Sequence, residues 1–157
     1  MAIVDDDQLV VQLLAGFLQE QNNFNVLSTA FSGNQFLKQL EEAKYVPDIV
    51  LLDLRMDDGD GLETINKLIK QYSQLKIIVL SSYYKASSTG YMFKLGVHAF
   101  LPKEIDKEDL IDIIQEVYHK EHYFTNEQVQ TLRNQISHKT PKQYVDTKEA
   151  LSSRELD

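Results

Sequence analysis

The residues of this 157-residue chain best suited to chemistry are carboxylates that follow short apolar runs. Asp5, Asp6 and Asp7 come straight after Ala2–Val4, and Asp53 comes straight after Ile49–Leu52. A hydroxyl pair, Ser81-Ser82, follows Ile77–Leu80, and Lys103 follows Val97–Leu101 and Pro102. Three adjacent carboxylates repel one another by about 1 kcal/mol per close pair in water, so something cationic should relieve them. Carboxylates joined by a backbone carbonyl suit Mg2+, which takes oxygen ligands and keeps several waters. A lysine and a hydroxyl suit the oxygens of a phosphoryl group. Together they describe an aspartate phosphorylated on its own side chain: Asp53 attacks while the cation and Lys103 neutralise charge on the transferring group. Each residue taken alone has an ordinary alternative. Asp53 can cap a loop, the acidic triplet can be a solvated turn, and Lys103 and Ser81 can be surface groups. The combined reading holds if the fold brings them together.

The apolar pattern supplies such a fold. Ile49–Leu52 has no polar alternation, as in a strand buried on both faces of a parallel sheet, and a residue at the carboxyl end of such a strand sits where open α/β sheets place their ligands. Leu9, Leu13, Leu14, Phe17 and Leu18 recur at helical spacing after the first strand. Residues Asn25 to Phe31 predict a second strand, Ser32-Gly33 a turn, and Asn34 the cap of a helix carrying Phe36, Leu37 and Leu40. The acidic stretch Asp57 to Gly61 predicts a surface turn. Leu62, Ile65, Leu68, Ile69 and Tyr72 predict a third helix, and Ile77 to Leu80 a fourth strand. Tyr84 to Leu95 is a poor helix because Ser87, Ser88, Thr89 and Gly90 are neutral or unfavourable in a helix interior, so it should be the least stable element. Val97 to Leu101 predicts a fifth strand. Leu110, Ile113, Ile114 and Val117 build a fifth helix whose first turn carries Asp106, Glu108 and Asp109, the sign its dipole favours. Strands alternating with helices make a doubly wound five-stranded parallel sheet with five flanking helices the economical architecture. The ends of strands one, three, four and five then open on one edge.

Composition narrows the function. The chain has 24 acidic against 16 basic residues, a net charge of −8, which argues against this segment wrapping nucleic acid and for a site that collects cations. It has no cysteine, which excludes disulfides, thiol chemistry and cysteine-ligated zinc and makes a cytoplasmic location the default expectation. No apolar run approaches the roughly 20 residues of a membrane span, and no basic region precedes a hydrophobic stretch at the start.

Over about residues 2 to 119 the pattern resembles the receiver domain of bacterial two-component response regulators. The matching pieces are Val4-Asp5-Asp6, Leu52-Asp53-Leu54-Arg55-Met56 with Asp60-Gly61 downstream, Leu80-Ser81, and Gly96 through Phe100 to Lys103. The resemblance implies a flavodoxin-like strand order 2-1-3-4-5 and Asp53 as phosphoacceptor. It implies Asp6 and Asp53 as direct Mg2+ ligands, Asp5 through water, and the backbone carbonyl of Arg55 as a further ligand. Ser81 matches the switch hydroxyl, Phe100 the switch aromatic and Lys103 the phosphoryl-contacting lysine. It also implies a sensor histidine kinase as partner, and a switch that catalyses only its own phosphorylation and dephosphorylation. The sequence departs from the family at several places. Asp57 stands where proline is common, Glu104 rather than proline follows Lys103, so a cis peptide there is not expected, and Phe100 lacks the hydroxyl of the commoner tyrosine. The first strand is short, with only Met1 ahead of Ala2.

Residues 120–150 predict an extra helix and linker. Thr125-Asn126-Glu127-Gln128 can form a capping box for a helix with Val129, Leu132 and Ile136 along one stripe, and polar residues with Pro141 follow. Residues 151–157 resemble the start of the helix-turn-helix output domain of NarL/LuxR-type regulators, with Ser152-Ser153-Arg154-Glu155 as a second capping box. A helix that short cannot stand alone in water, so a DNA-binding domain is expected to follow. Tyr84 to Leu95, with strand five and the front of helix five, is the candidate face for a homodimer or for contact with that domain. The alternative is a stand-alone receiver that relays phosphate or binds a protein partner without DNA. A phosphohydrolase using an aspartyl-phosphate would need a carboxylate two residues after the nucleophile, and Arg55 occupies that place.

Overall fold

The run Ile49–Asp53 forms β3, the middle strand of a five-stranded sheet, and every residue in it is buried. Its side chains divide between two cores. Ile49 and Leu51 enter one apolar cluster, while Val50 and Leu52 enter the other. Alternation is therefore present in space but invisible in the sequence, because helices cover both faces. At about 1.5–3 kcal/mol for each fully buried aliphatic side chain, this strand is among the most strongly held parts of the chain.

The structure, a computed structural model, describes residues 1–56 and 60–139, with side chains as far as residue 137. The expected linker around Pro141, the expected capping box at Ser152–Glu155 and most of the acidic turn, including Asp57, lie outside those residues. In the first compact unit, Met1–Phe124, the other strands are β1 (Ala2–Val4), β2 (Ser28–Ala30), β4 (Lys76–Ser81) and β5 (Ala99–Pro102). All pair in parallel, in the order β2-β1-β3-β4-β5. Helices α1 (Gln8–Gln19) and α5 (Lys107–Lys120) supply Val11, Leu18, Leu110, Ile113, Ile114 and Val117 to one core. Helices α2 (Gly33–Glu42), α3 (Gly61–Gln71) and α4 (Thr89–Leu95) supply Phe36, Leu40, Ile65, Leu68 and Met92 to the other. The doubly wound architecture is thus as expected.

Local details differ where several residues compete for one role. Helix α1 is apolar around more than one stripe, and the sheet takes Val11 and Leu18 while Leu9 and Leu13 stay 63% and 60% exposed. Ser32, not Asn34, caps α2: its Oγ accepts the Gln35 N–H at 3.0 Å, and Gln35 Oε1 accepts the Phe31 N–H at 2.7 Å. That second bond takes Phe31 out of the ladder at one end, and the Val26 N–H donates to Gln19 Oε1 at 3.0 Å at the other, so β2 is shorter than the expected Asn25 to Phe31. The segment from Tyr84 to Leu95 splits into a 3-10 turn at Ala86–Ser88 and the seven-residue α4. Gly96, at φ 113°, ends α4, and the Val97 N–H bonds back to Met92 O at 3.3 Å. Val97 therefore closes a helix instead of opening β5.

The second unit begins at Thr125. Its capping box forms as expected, with Gln128 N–H donating to Thr125 Oγ1 and Thr125 N–H donating to Gln128 Oε1, each at 3.0 Å. Helix α6 (Asn126–Lys139) follows.

Gly61 pins the far end of the loop that leaves β3. Its N–H donates to Leu54 O at 3.0 Å, and a Cβ there would lie 2.5 Å from Leu54 Cα and O. These are backbone atoms and cannot rotate away. Gly61→Ala is expected to cost about 1–3 kcal/mol in urea unfolding, as overpacking does. Gly16→Ala, with nothing within 4 Å of the added methyl, should be neutral or gain up to about 1 kcal/mol from helix propensity. Equal effects of the two substitutions would contradict this account.

Candidate functional site

Four strand ends deliver the chemically able residues to one edge. Asp5 and Asp6 follow β1, Asp53 is the last residue of β3, Ser81 the last of β4, and Lys103 comes one residue after β5. Register holds them level. Val4 pairs with Leu52, Asp53 with Leu80 and Ser81 with Pro102, and the Lys103 N–H donates to Ser81 O at 2.9 Å. Carboxylate oxygens of Asp5, Asp6 and Asp53 lie within 4.8 Å of one another, with Asp5 and Asp53 buried and Asp6 exposed. Asp7 does not join them. Its carboxylate caps α1, accepting from the Leu9 and Val10 N–H groups at 3.1 and 3.3 Å.

Lys103 Nζ is 2.6 Å from Asp5 Oδ2 and 3.7 Å from Asp53 Oδ2. Asp5 also accepts the Asp7 N–H at 2.9 Å. Asp53 is served less well. Burial is the main cause that pushes its carboxyl up to about 6, and the Asp5 charge adds to it; Lys103 and the Arg55 N–H pull the other way without prevailing. Burial alone would lower the Lys103 ammonium, but the Asp5 hydrogen bond and the charges of Asp53, Asp5 and Asp7 raise it above its ordinary value, so it stays a cation. Among the described residues, the two buried carboxylates of Asp5 and Asp53 share the Lys103 ammonium. An all-oxygen donor set fits a hard divalent cation and offers nothing to one that prefers sulfur or nitrogen.

The remaining expected residues line the approach. Ser81 Oγ accepts the Tyr83 N–H at 3.0 Å, so the hydroxyl oxygen faces its own loop. Phe100 is buried, its ring centred 4.9 Å from that of Tyr84. The Lys103–Glu104 peptide is trans, as the glutamate predicts. Sequence reasoning missed Tyr83 and Tyr84. The Arg55 guanidinium lies over the Tyr83 ring at 4.0 Å, joining the loop after β3 to the loop after β4. The available signal was two adjacent aromatics directly after Ser81-Ser82, at the head of an otherwise polar segment. A recess lined by Asp6, Leu54, Arg55, Met56, Asp60 and Leu62 opens on this edge. A separate cavity of about 370 Å³, lined by Met1, Asn25, Asp48 and Ile114 among others, opens at the opposite ends of the strands, away from the carboxylates.

The response regulator receiver domain family matches residues 1–115. A relative known as response regulator protein VraR, from Staphylococcus saprophyticus, is 29% identical over 154 residues, covering 98% of this chain and 70% of the relative. Among solved structures, a CheY-like response regulator receiver domain protein from Methanospirillum hungatei superposes with a TM-score of 0.68 at 23% identity, over 76% of this chain and 92% of that one. A DNA-binding response regulator of the LuxR family from Staphylococcus aureus gives 0.66 at 24% identity, over 74% and 97%.

The raised value at Asp53 has a measurable sign. Its stabilising contribution belongs to the protonated form: it is complete below the unfolded value near 3.8 and lost as pH rises through about 6. In the presence of a chelator, Asp53→Asn should therefore be more stable than the parent by about 1–3 kcal/mol at pH 7.5, and the gain should vanish near pH 4. Denaturant unfolding at the two pH values checks this. A variant less stable than the parent at pH 7.5 would show that Asp53 is better compensated than the geometry indicates.

Proposed function

Because the chain belongs to the response regulator receiver domain family, we propose that it is a phosphorylation-operated switch in which Asp53 accepts the phosphoryl group. The observation that carries this reading is the meeting of Asp5, Asp6 and Asp53 at one strand edge with Lys103 reaching two of them. Mg2+ held by these three carboxylates and the Arg55 carbonyl would supply positive charge to the oxygens of the transferring group. Asp53, still ionised at neutral pH because its carboxyl titrates near 6, attacks phosphorus. The donor is a phosphohistidine of a sensor kinase: the new O–P bond forms as the P–N bond breaks, and the imidazole leaves with the electron pair. Lys103 moves from Asp5 toward the transferred oxygens and steadies the charge that grows on them.

The switch follows from the two bonds that one hydroxyl can make. Ser81 Oγ accepts the Tyr83 N–H while its O–H donates to a phosphoryl oxygen, so a shift of the hydroxyl toward the phosphoryl group draws in the loop carrying Tyr83 and Tyr84. Phe100, against Tyr84 in this structure, repacks behind it. Moving a two-state element from 1:99 to 99:1 takes about 5.5 kcal/mol of differential interaction. Hydrogen bonds to a charged group contribute about 1.5–3 kcal/mol each, so about two to four suffice. Helix α4, seven residues long, is far below the roughly 12–15 residues that an isolated helix needs and offers little resistance.

The moving face of α4, β5 and α5 would meet a second copy or an output domain. That output is a DNA-binding helix-turn-helix domain starting at residues 151–157, and the protein works in the cytoplasm. The VraR relative extends beyond the matched part, and the LuxR-family structure is described as DNA-binding. Both support this assignment. No helix among the described residues is long and apolar enough to cross a membrane.

Acetyl phosphate with Mg2+ should add one phosphoryl mass to the parent chain and none to Asp53→Asn. Lys103→Ala should slow the reaction about 10²-fold, the scale of losing one preorganised electrostatic partner. Millimolar Mg2+ should raise the melting temperature of the parent but not of Asp6→Ala. Undiminished phosphorylation of Asp53→Asn would overturn the assignment. Beryllofluoride, which mimics the aspartyl-phosphate, should change hydrogen exchange across Tyr84 to Lys103. Changes confined to residues 8–45 would overturn the switch while leaving the acceptor intact.

A further inference from the structure

At the edge opposite the carboxylates, the chain leaving α5 folds back over the starts of β4 and β5. His98, just before β5, accepts the Ile77 N–H on Nδ1 at 3.0 Å, while its carbonyl accepts the Tyr123 N–H at 2.9 Å. The His122 ring stacks on His98, with centroids 5.2 Å apart and planes 19° from parallel. Phe124 stacks on Phe93 of α4 at 4.1 Å. The turn that allows this is made at Glu121, a non-glycine residue at φ 76°, which costs on the order of 1 kcal/mol. Lys76 holds it there, with Nζ 3.1 Å from Glu121 Oε1 and 2.8 Å from Tyr118 O.

We propose that His98 and His122 form a proton-operated latch, which keeps Glu121–Phe124 on the sheet edge while both rings are neutral and releases it on acidification. The Ile77 N–H can only donate, so His98 Nδ1 must offer a lone pair and the ring's proton sits on Nε2. An incoming proton then has only Nδ1 to bind, where it faces the Ile77 N–H and abolishes that bond. The charged and titratable groups acting on His98 are His122 and Glu121 from the returning chain and Lys76 from β4. Lys76 opposes a positive charge on His98, and Glu121, which favours one, is already engaged by Lys76. Burial first, and then His122, hold His98 below the ordinary imidazole range. A value lowered by folding means that the closed form is fully favoured above about 6.5 and loses stability as pH falls through the folded value. Release uncovers Phe93, so protons would act on the same weak helix, α4, that the phosphoryl group is proposed to move. The latch itself does not depend on the phosphorylation reading.

The chain contains no tryptophan, so Phe124→Trp places a single fluorescent reporter on Phe93. Asp53→Asn in the same protein removes the carboxyl at the opposite edge that titrates near 6. Between pH 8 and pH 5 the emission should move to longer wavelength while far-UV circular dichroism stays constant. Adding His122→Phe keeps the stacked ring without its charge and should shift the transition to lower pH, and adding His98→Gln should abolish it. If His98→Gln does not fold, His122→Phe still decides the matter. Flat emission over this range, a transition unmoved by His122→Phe, or a transition that coincides with loss of the far-UV signal would each overturn the latch.

Discussion

Asp53 is a carboxylate fixed at the end of a strand buried on both faces, and much of the structure follows from keeping it there. A side chain on a loop could turn to water, but Asp53 cannot, because β1 and β4 pair on either side of β3 and set its register. It is held 3.7 Å from one ammonium that is closer to Asp5. The stability given up by burying this charge is the same quantity that makes the edge attractive to a cation and to the electron-poor phosphorus of a donor. Rigid packing below and buried charge above are two sides of one arrangement.

Strength is distributed unevenly around that point. Strands β1 and β3 beneath the site are buried throughout, whereas the segment after β4 is a 3-10 turn followed by seven helical residues. Its hydroxyl and glycine content removes the propensity that would stiffen it. Ser81 belongs to both regions, being the last residue of a rigid strand and the acceptor for the Tyr83 N–H of the weak loop. A change in its bonding therefore passes to the element least able to resist. Arg55 over Tyr83 and Phe100 against Tyr84 make the same connection from the loop after β3 and from β5. The chain leaving α5 makes a second connection to α4, with Phe124 stacked on Phe93.

The sequence by itself determined the sheet, its helices and the identity of the acidic cluster, because these rest on contiguous signals. An unbroken apolar run means a strand covered on both faces, apolar residues at helical spacing mean a buried stripe, and a carboxylate directly after such a run must sit at the strand's end. The Thr125–Gln128 capping box was legible for the same reason, since its two bonds join residues three apart. Only the tertiary structure decided questions in which neighbours compete. Asp7 continues the acidic run of Asp5 and Asp6, but α1 took it as a cap. Leu9 and Leu13 had the spacing of core residues, but the sheet selected Val11 and Leu18. Val97 had a strand's character and went to close α4. The partition of Lys103 between Asp5 and Asp53, the turning of Ser81 to Tyr83 and the stacking of His122 on His98 involve residues far apart in the chain or choices among equivalent donors. Local propensity is silent there, because the free energy that decides comes from burial and from which partner packing leaves within reach.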